Sequence, residues 1–87
     1  MSYETKLLQL KETIEREFPN TQWRYDRVAQ TIFEQTSYFN RYFNRIQKYT
    51  QYSPTRFLQE FLRQELGISD VIVFGTVEPN SFGLTID

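Results

Sequence analysis

From Tyr3 to Leu66 the large apolar side chains fall mostly at intervals of three and four, and this spacing confines the chain to a largely helical fold. Tyr3, Leu7, Leu10, Ile14 and Phe18 line one helical face, which Leu8 widens, while Glu4, Lys11, Glu12, Glu15 and Arg16 sit elsewhere. The pattern predicts a helix over 2–18 with Ser2 as N-cap. Pro19 ends it, because proline disfavours helical geometry at the residue before it.

After the turn Pro19-Asn20-Thr21, the residues Tyr25, Val28, Ala29, Ile32 and Phe33 repeat at three and four and predict a second helix over 22–35. Trp23 and Tyr25 alternate with charged residues, so a short strand over 21–26 is the lesser alternative. Thr36 or Ser37 can cap a third helix over 37–51, with Phe39, Tyr42, Phe43, Ile46 and Tyr49 as its buried face. Tyr25, Val28, Ile32, Gln35, Phe39, Tyr42, Ile46 and Tyr49 also read as one heptad series. A single helix over 22–50, in a helical hairpin or an oligomer, therefore stays open.

Ser53-Pro54 is a helix start, with serine as N-cap and proline at the first helical position. Phe57, Leu58, Phe61, Leu62 and Leu66 form its apolar face, Gly67 suits a left-handed C-cap, and Ile68 can fold back on Leu62 or a neighbour. Val71–Val77 and Phe82–Ile86 read as two strands joined by the type I turn sequence Glu78-Pro79-Asn80-Ser81. A lone hairpin is unstable in water, so it must pack on the helices or pair an edge. The expected architecture is one domain over 1–87, mainly α (α+β), with three to four helices followed by a C-terminal β-hairpin. Eight Phe, six Tyr and one Trp give so short a chain enough area to bury. Phe39, Phe43, Ile46, Phe57, Phe61 and Leu62 are expected to pack together.

The chain has neither cysteine nor histidine, so disulfides, thiolate nucleophiles, zinc–thiolate sites and the commonest general base are excluded. Glu12, Glu15, Glu17, Glu60 and Glu65 are scattered at helix-surface spacings, and Gly67, Gly75 and Gly83 build no phosphate loop. A non-catalytic protein without metal or cofactor is expected. The longest aliphatic or aromatic run is Val71 to Phe74, so no membrane partner is expected, and a cytoplasmic location is.

The net charge of −1 hides a polar molecule. Residues 21–58 carry six bases (Arg24, Arg27, Arg41, Arg45, Lys48, Arg56) and two acids, whereas 59–87 carry one base and five acids. From Gln35 to Gln59 there is no acid at all. Arg41, Arg45 and Lys48 share a helical face flanked by Asn40, Asn44, Gln47 and Gln51. Arginine pairs with guanine edges, asparagine and glutamine with adenine edges, and all of them with phosphates. The candidate nucleic-acid-binding residues are therefore Arg41, Arg45, Lys48, Asn40 and Asn44, with Arg24, Arg27 and Arg56 on phosphates. Tyr38, Tyr49 and Tyr52 add rings on which bases could stack if exposed. A pI of 5.4 runs against the basic character usual in dedicated nucleic-acid binders.

Val28-Ala29, Ile32-Phe33, Ser37-Tyr38-Phe39, Arg41, Phe43, Arg45, Tyr49-Thr50 and Ser53-Pro54 with Phe57 resemble the AraC-type helix-turn-helix signature over about a third of the chain. In that family a short helix precedes the turn, the recognition helix starts near Ser-Tyr-Phe, and Ser-Pro begins the next helix. The chain lacks the family's glycine before Phe33, has three extra residues such as Ile46-Gln47-Lys48, and holds Gln51 where the family has glycine. It also has room for one motif where the family has two. The resemblance implies a DNA-binding regulator. Two readings follow: a small nucleic-acid-binding regulator acting as a homodimer, or a protein–protein interaction module (adaptor, assembly factor or inhibitor) with Tyr and Arg as anchors.

Overall fold

The computed structural model describes residues 2–75 and 82–87. In chain order the elements are α1 (Tyr3–Glu17), β1 (Trp23–Asp26), β2 (Thr31–Glu34), α2 (Tyr38–Ile46), a 3₁₀ turn (Gln47–Tyr49), α3 (Pro54–Glu65), β3 (Val71–Gly75) and β4 (Phe82–Ile86). The strands form one antiparallel sheet in the order β1-β2-β4-β3. The expected helices followed by a lone hairpin are thus replaced by three α-helices and a four-stranded sheet whose strands are spread along the chain. The expected turn at 78–81, with Val77, lies outside the described residues.

Local signals set both outer helices. Ser2 Oγ accepts the Thr5 N–H at 3.1 Å and caps α1. At its other end Thr21 donates both its N–H and its hydroxyl to the Phe18 carbonyl, and Glu15 Oε1 accepts the Trp23 N–H at 3.2 Å, which fastens β1 to α1. Ser53 Oγ accepts the Arg56 N–H at 3.3 Å at the start of α3. Gly67 takes φ +68°, and the Ile68 N–H reaches back to the Leu62 carbonyl at 2.9 Å. The Gln59 amide of α3 then accepts the Val73 N–H at 2.9 Å and donates to the Val71 carbonyl, tying α3 to edge strand β3.

The predicted helix over 22–35 is instead the β1–β2 hairpin, which also rules out one helix over 22–50. Two forces favour it. Asp26 Oδ1 accepts the Ala29 N–H at 3.0 Å, a local turn that competes with helical hydrogen bonding. Ile32 and Phe33 pair with Leu84 and Gly83, so β2 sits inside the sheet and gains ladder bonds on both sides. The three-and-four spacing misled because a four-residue turn between two strands reproduces it: Val28 lies at the turn and is 97% exposed. In the helix-turn-helix resemblance, Val28-Ala29 and Ile32-Phe33 precede the recognition helix; here they occupy this turn and β2.

One face of the sheet carries Trp23, Ile32, Phe82, Leu84 and Val71, all buried in a single cluster with Leu7, Leu10 and Ile14 of α1, Phe39 and Phe43 of α2, and Leu58 and Leu62 of α3. Phe39 is its hub, with ring centroids of Phe18 and Phe82 at 5.4 Å, Tyr42 at 6.0 Å and Phe57 at 6.1 Å. Of the expected core set, Phe39, Phe43 and Leu62 are buried, Phe57 and Phe61 are half-buried against the cluster, and Ile46 lies outside it. The other face carries the row Arg24, Phe33, Gly83 and Phe74. Phe33 and Phe74 meet edge to face at 6.3 Å across Gly83, where a Cβ would sit 2.5 Å from the Phe74 ring.

Candidate nucleic-acid interface

The segment 35–59 folds as the loop leaving β2, α2, the 3₁₀ turn, the connection after it and the first half of α3. Its geometry is set by a residue just before it. Ser37 adopts a left-handed conformation, φ +56°, and makes no side-chain cap. The cap comes from Glu34, whose Oε1 accepts the Phe39 N–H at 2.9 Å and the Thr36 hydroxyl at 3.1 Å, while Thr36 Oγ1 takes the Tyr38 N–H at 3.4 Å. Glu34 is only 4% exposed. Burial raises its carboxyl pKa above the ordinary value, against the opposing pull of the Phe39 N–H, Thr36, the Tyr38 N–H and the Arg41 charge.

With its start anchored in the sheet and Phe39 and Phe43 turned into the core, α2 presents Arg41, Asn44 and Arg45 outward. The Arg41 guanidinium donates to the Thr36 carbonyl at 3.3 Å. Arg41 and Arg45 line a surface hollow with Asn20, Thr36 and Tyr38. Asn40 is half-buried.

The α-helix ends at Ile46, and Gln47–Tyr49 follow as a 3₁₀ turn that buries none of its residues. Tyr49, expected in the buried face, is 77% exposed. Lys48 Nζ stands over its ring, 5.0 Å from the centroid. Arg56, in the first turn of α3, places its guanidinium carbon 4.4 Å from the centroid of the exposed Tyr52 ring. Among the described residues the ion pairs are Lys11–Glu15, Arg24–Asp26 and Glu60–Arg63, and none engages Arg41, Arg45, Lys48 or Arg56.

Six of the eight candidate residues thus lie on α2, the 3₁₀ turn and the start of α3. The other two lie elsewhere. Arg24 is on the sheet face turned away from the helices, 3.6 Å from Asp26 and with its guanidinium carbon 5.6 Å from the Phe33 ring centroid. Arg27 is in the β1–β2 turn, at the end of the hairpin opposite Glu34, roughly 13 Å away along the strand at the usual rise per residue.

The Glu34 cap and the cation–ring pairs escape a reading of spacing. The last acid before a long acid-free run was a signal for the first, and adjacent Lys48-Tyr49 beside the helix break for the second. Among the described residues no group of three or more acidic side chains could hold a metal ion, and no helix is long and apolar enough to cross a membrane. No protein-family model, curated protein or solved structure matches the chain.

Proposed function

We propose that this protein is a small, non-catalytic nucleic-acid-binding regulator that grips its ligand with α2, the 3₁₀ turn and the start of α3. The observation that carries the reading is that Arg41, Arg45, Lys48 and Arg56 are all exposed, lie in an acid-free stretch of chain, and take part in none of the ion pairs among the described residues. Exposed lysine and arginine neutralise phosphates and release condensed counterions. Along the chain the net charge is positive over 21–58, six bases against two acids, and negative over 59–87, one base against five acids. The cations are thus grouped despite the overall charge of −1, and a grouped positive field attracts a polyanion.

The test is fluorescence anisotropy of labelled oligonucleotides, single-stranded and duplex, from about 50 to 200 mM salt, where phosphate contacts weaken steeply. Four contacts give a duplex slope of log affinity against log salt near about −3.6, at roughly −0.9 per contact, and a homodimer steepens it. Changing Arg41 and Arg45 together to Glu abolishes binding while far-UV circular dichroism keeps its helical signal. Absence of binding to either form at low salt refutes the proposal.

A protein partner is the second reading, favoured by the outer sheet face. Phe33 and Phe74 there share a row with Arg24, and the 43%-exposed Ile72 lies on the same face two residues from Phe74. On that reading Phe74→Glu removes the interaction and leaves oligonucleotide binding untouched.

A further inference from the structure

The two rings beside the cations narrow the ligand. We propose that the nucleic acid bound by this surface is single-stranded, with bases stacking on Tyr49 and Tyr52 while Lys48 and Arg56 hold the flanking phosphates; this rests on the nucleic-acid reading above.

Tyr49 is 77% exposed, a costly position for an aromatic ring that packing elsewhere in this core would reward. Lys48 Nζ lies over its ring, 5.0 Å from the centroid. Tyr52 repeats the arrangement with Arg56 at 4.4 Å. Each ring therefore has a cation beside it, and the surface left to solvent, 77% for Tyr49 and 36% for Tyr52, is where another planar group can stack. The residues between the rings, Thr50 and Gln51, carry no charge that would repel a phosphate.

A duplex offers such rings nothing to stack on, because its bases are already stacked and present only their edges in the grooves. A single strand presents unstacked bases, and any base has a π-face, so aromatic rings flanked by cations bind it with little regard to sequence. The rest of the surface is poor at reading a groove. The α2 helix has nine residues, Asn40 is half-buried, and Arg41 already donates to the Thr36 carbonyl. That leaves Asn44 and Arg45 as its fully available readers of base edges, fewer than the three or four side chains groove-reading helices bring.

The experiment compares one labelled oligonucleotide, as DNA and as RNA, with its own duplex, at low salt, using the full chain and the variants Tyr49→Ala, Tyr52→Ala and Tyr49→Phe. Both tyrosines are exposed, and circular dichroism verifies that the variants fold. The single strand is expected to bind at least about tenfold tighter than the duplex, and each alanine variant to lose about tenfold on the single strand, as for removal of one stacking ring. Tyr49→Phe keeps its affinity, and duplex binding does not change in any of the three. Equal affinity for strand and duplex, or alanine variants that bind the single strand as the parent does, overturns the single-strand inference and leaves nucleic-acid binding standing. No binding to either form overturns both.

Discussion

Replacing Glu34 tests whether a buried carboxylate or its hydrogen bonds dominate at the start of α2. Glu34→Ala removes the acceptor of the Phe39 N–H and of the Thr36 hydroxyl. Phe39 is fully buried, so its N–H is left without water, at a cost of about 1–3 kcal/mol, comparable to loss of a helix N-cap. Against this, the variant no longer buries a carboxylate, and the raised pKa of Glu34 says that burial outweighs the hydrogen bonds that favour the charge.

A folded pKa raised above the unfolded value means that the native state binds more protons than the unfolded state between the two. The stability due to Glu34 is therefore fully present below its ordinary value of 4.5 and is lost as pH rises through the raised folded value. Urea denaturation of both proteins at several pH values between about 4 and 7 is the assay, and subtraction cancels the other carboxylates. Glu34→Ala should cost the larger amount at the acid end, about 2–3 kcal/mol, and less near neutrality, where the buried charge offsets the lost bonds. Glu34→Gln should flatten the pH dependence while keeping the acceptor. A cost that grows towards pH 7 refutes the reasoning, because it would mean that the Phe39 N–H and its neighbours overcome desolvation.

Phe39→Ala should lose about 3–5 kcal/mol in urea melts, since a fully buried ring with four aromatic neighbours leaves a cavity; a loss under about 1 kcal/mol contradicts its place as hub. Gln30 closes the β1–β2 turn with φ +50°, so Gln30→Gly should stabilise by about 0.5–1 kcal/mol, relief of left-handed strain exceeding the added chain entropy. A melting temperature that falls in that variant places the turn in another conformation.

The extent of legible structure follows the range of the interactions that decide it. The sequence alone determined α1, α3 and the pairing of β3 with β4. Ser2, Pro19, Ser53-Pro54 and Gly67 act within a few residues of themselves, and β3 and β4 are β-branched or aromatic runs near each other in the chain. It also determined the acid-free stretch and its four cations, because charge counts do not depend on fold. Only the tertiary structure decided the conformation of 23–34. Its apolar spacing suits a helix and a hairpin alike, and the choice falls to ladder bonds with Leu84 and Gly83, some fifty residues on, that no local window contains. The same pairing buries Glu34 where it caps α2, sends Arg24 to the far face of the sheet, and separates Arg27 from the other candidate cations. The exposure of Tyr49 was likewise beyond the sequence. The α-helix ends at Ile46, so the periodicity that placed Tyr49 on the buried face no longer holds where that residue stands.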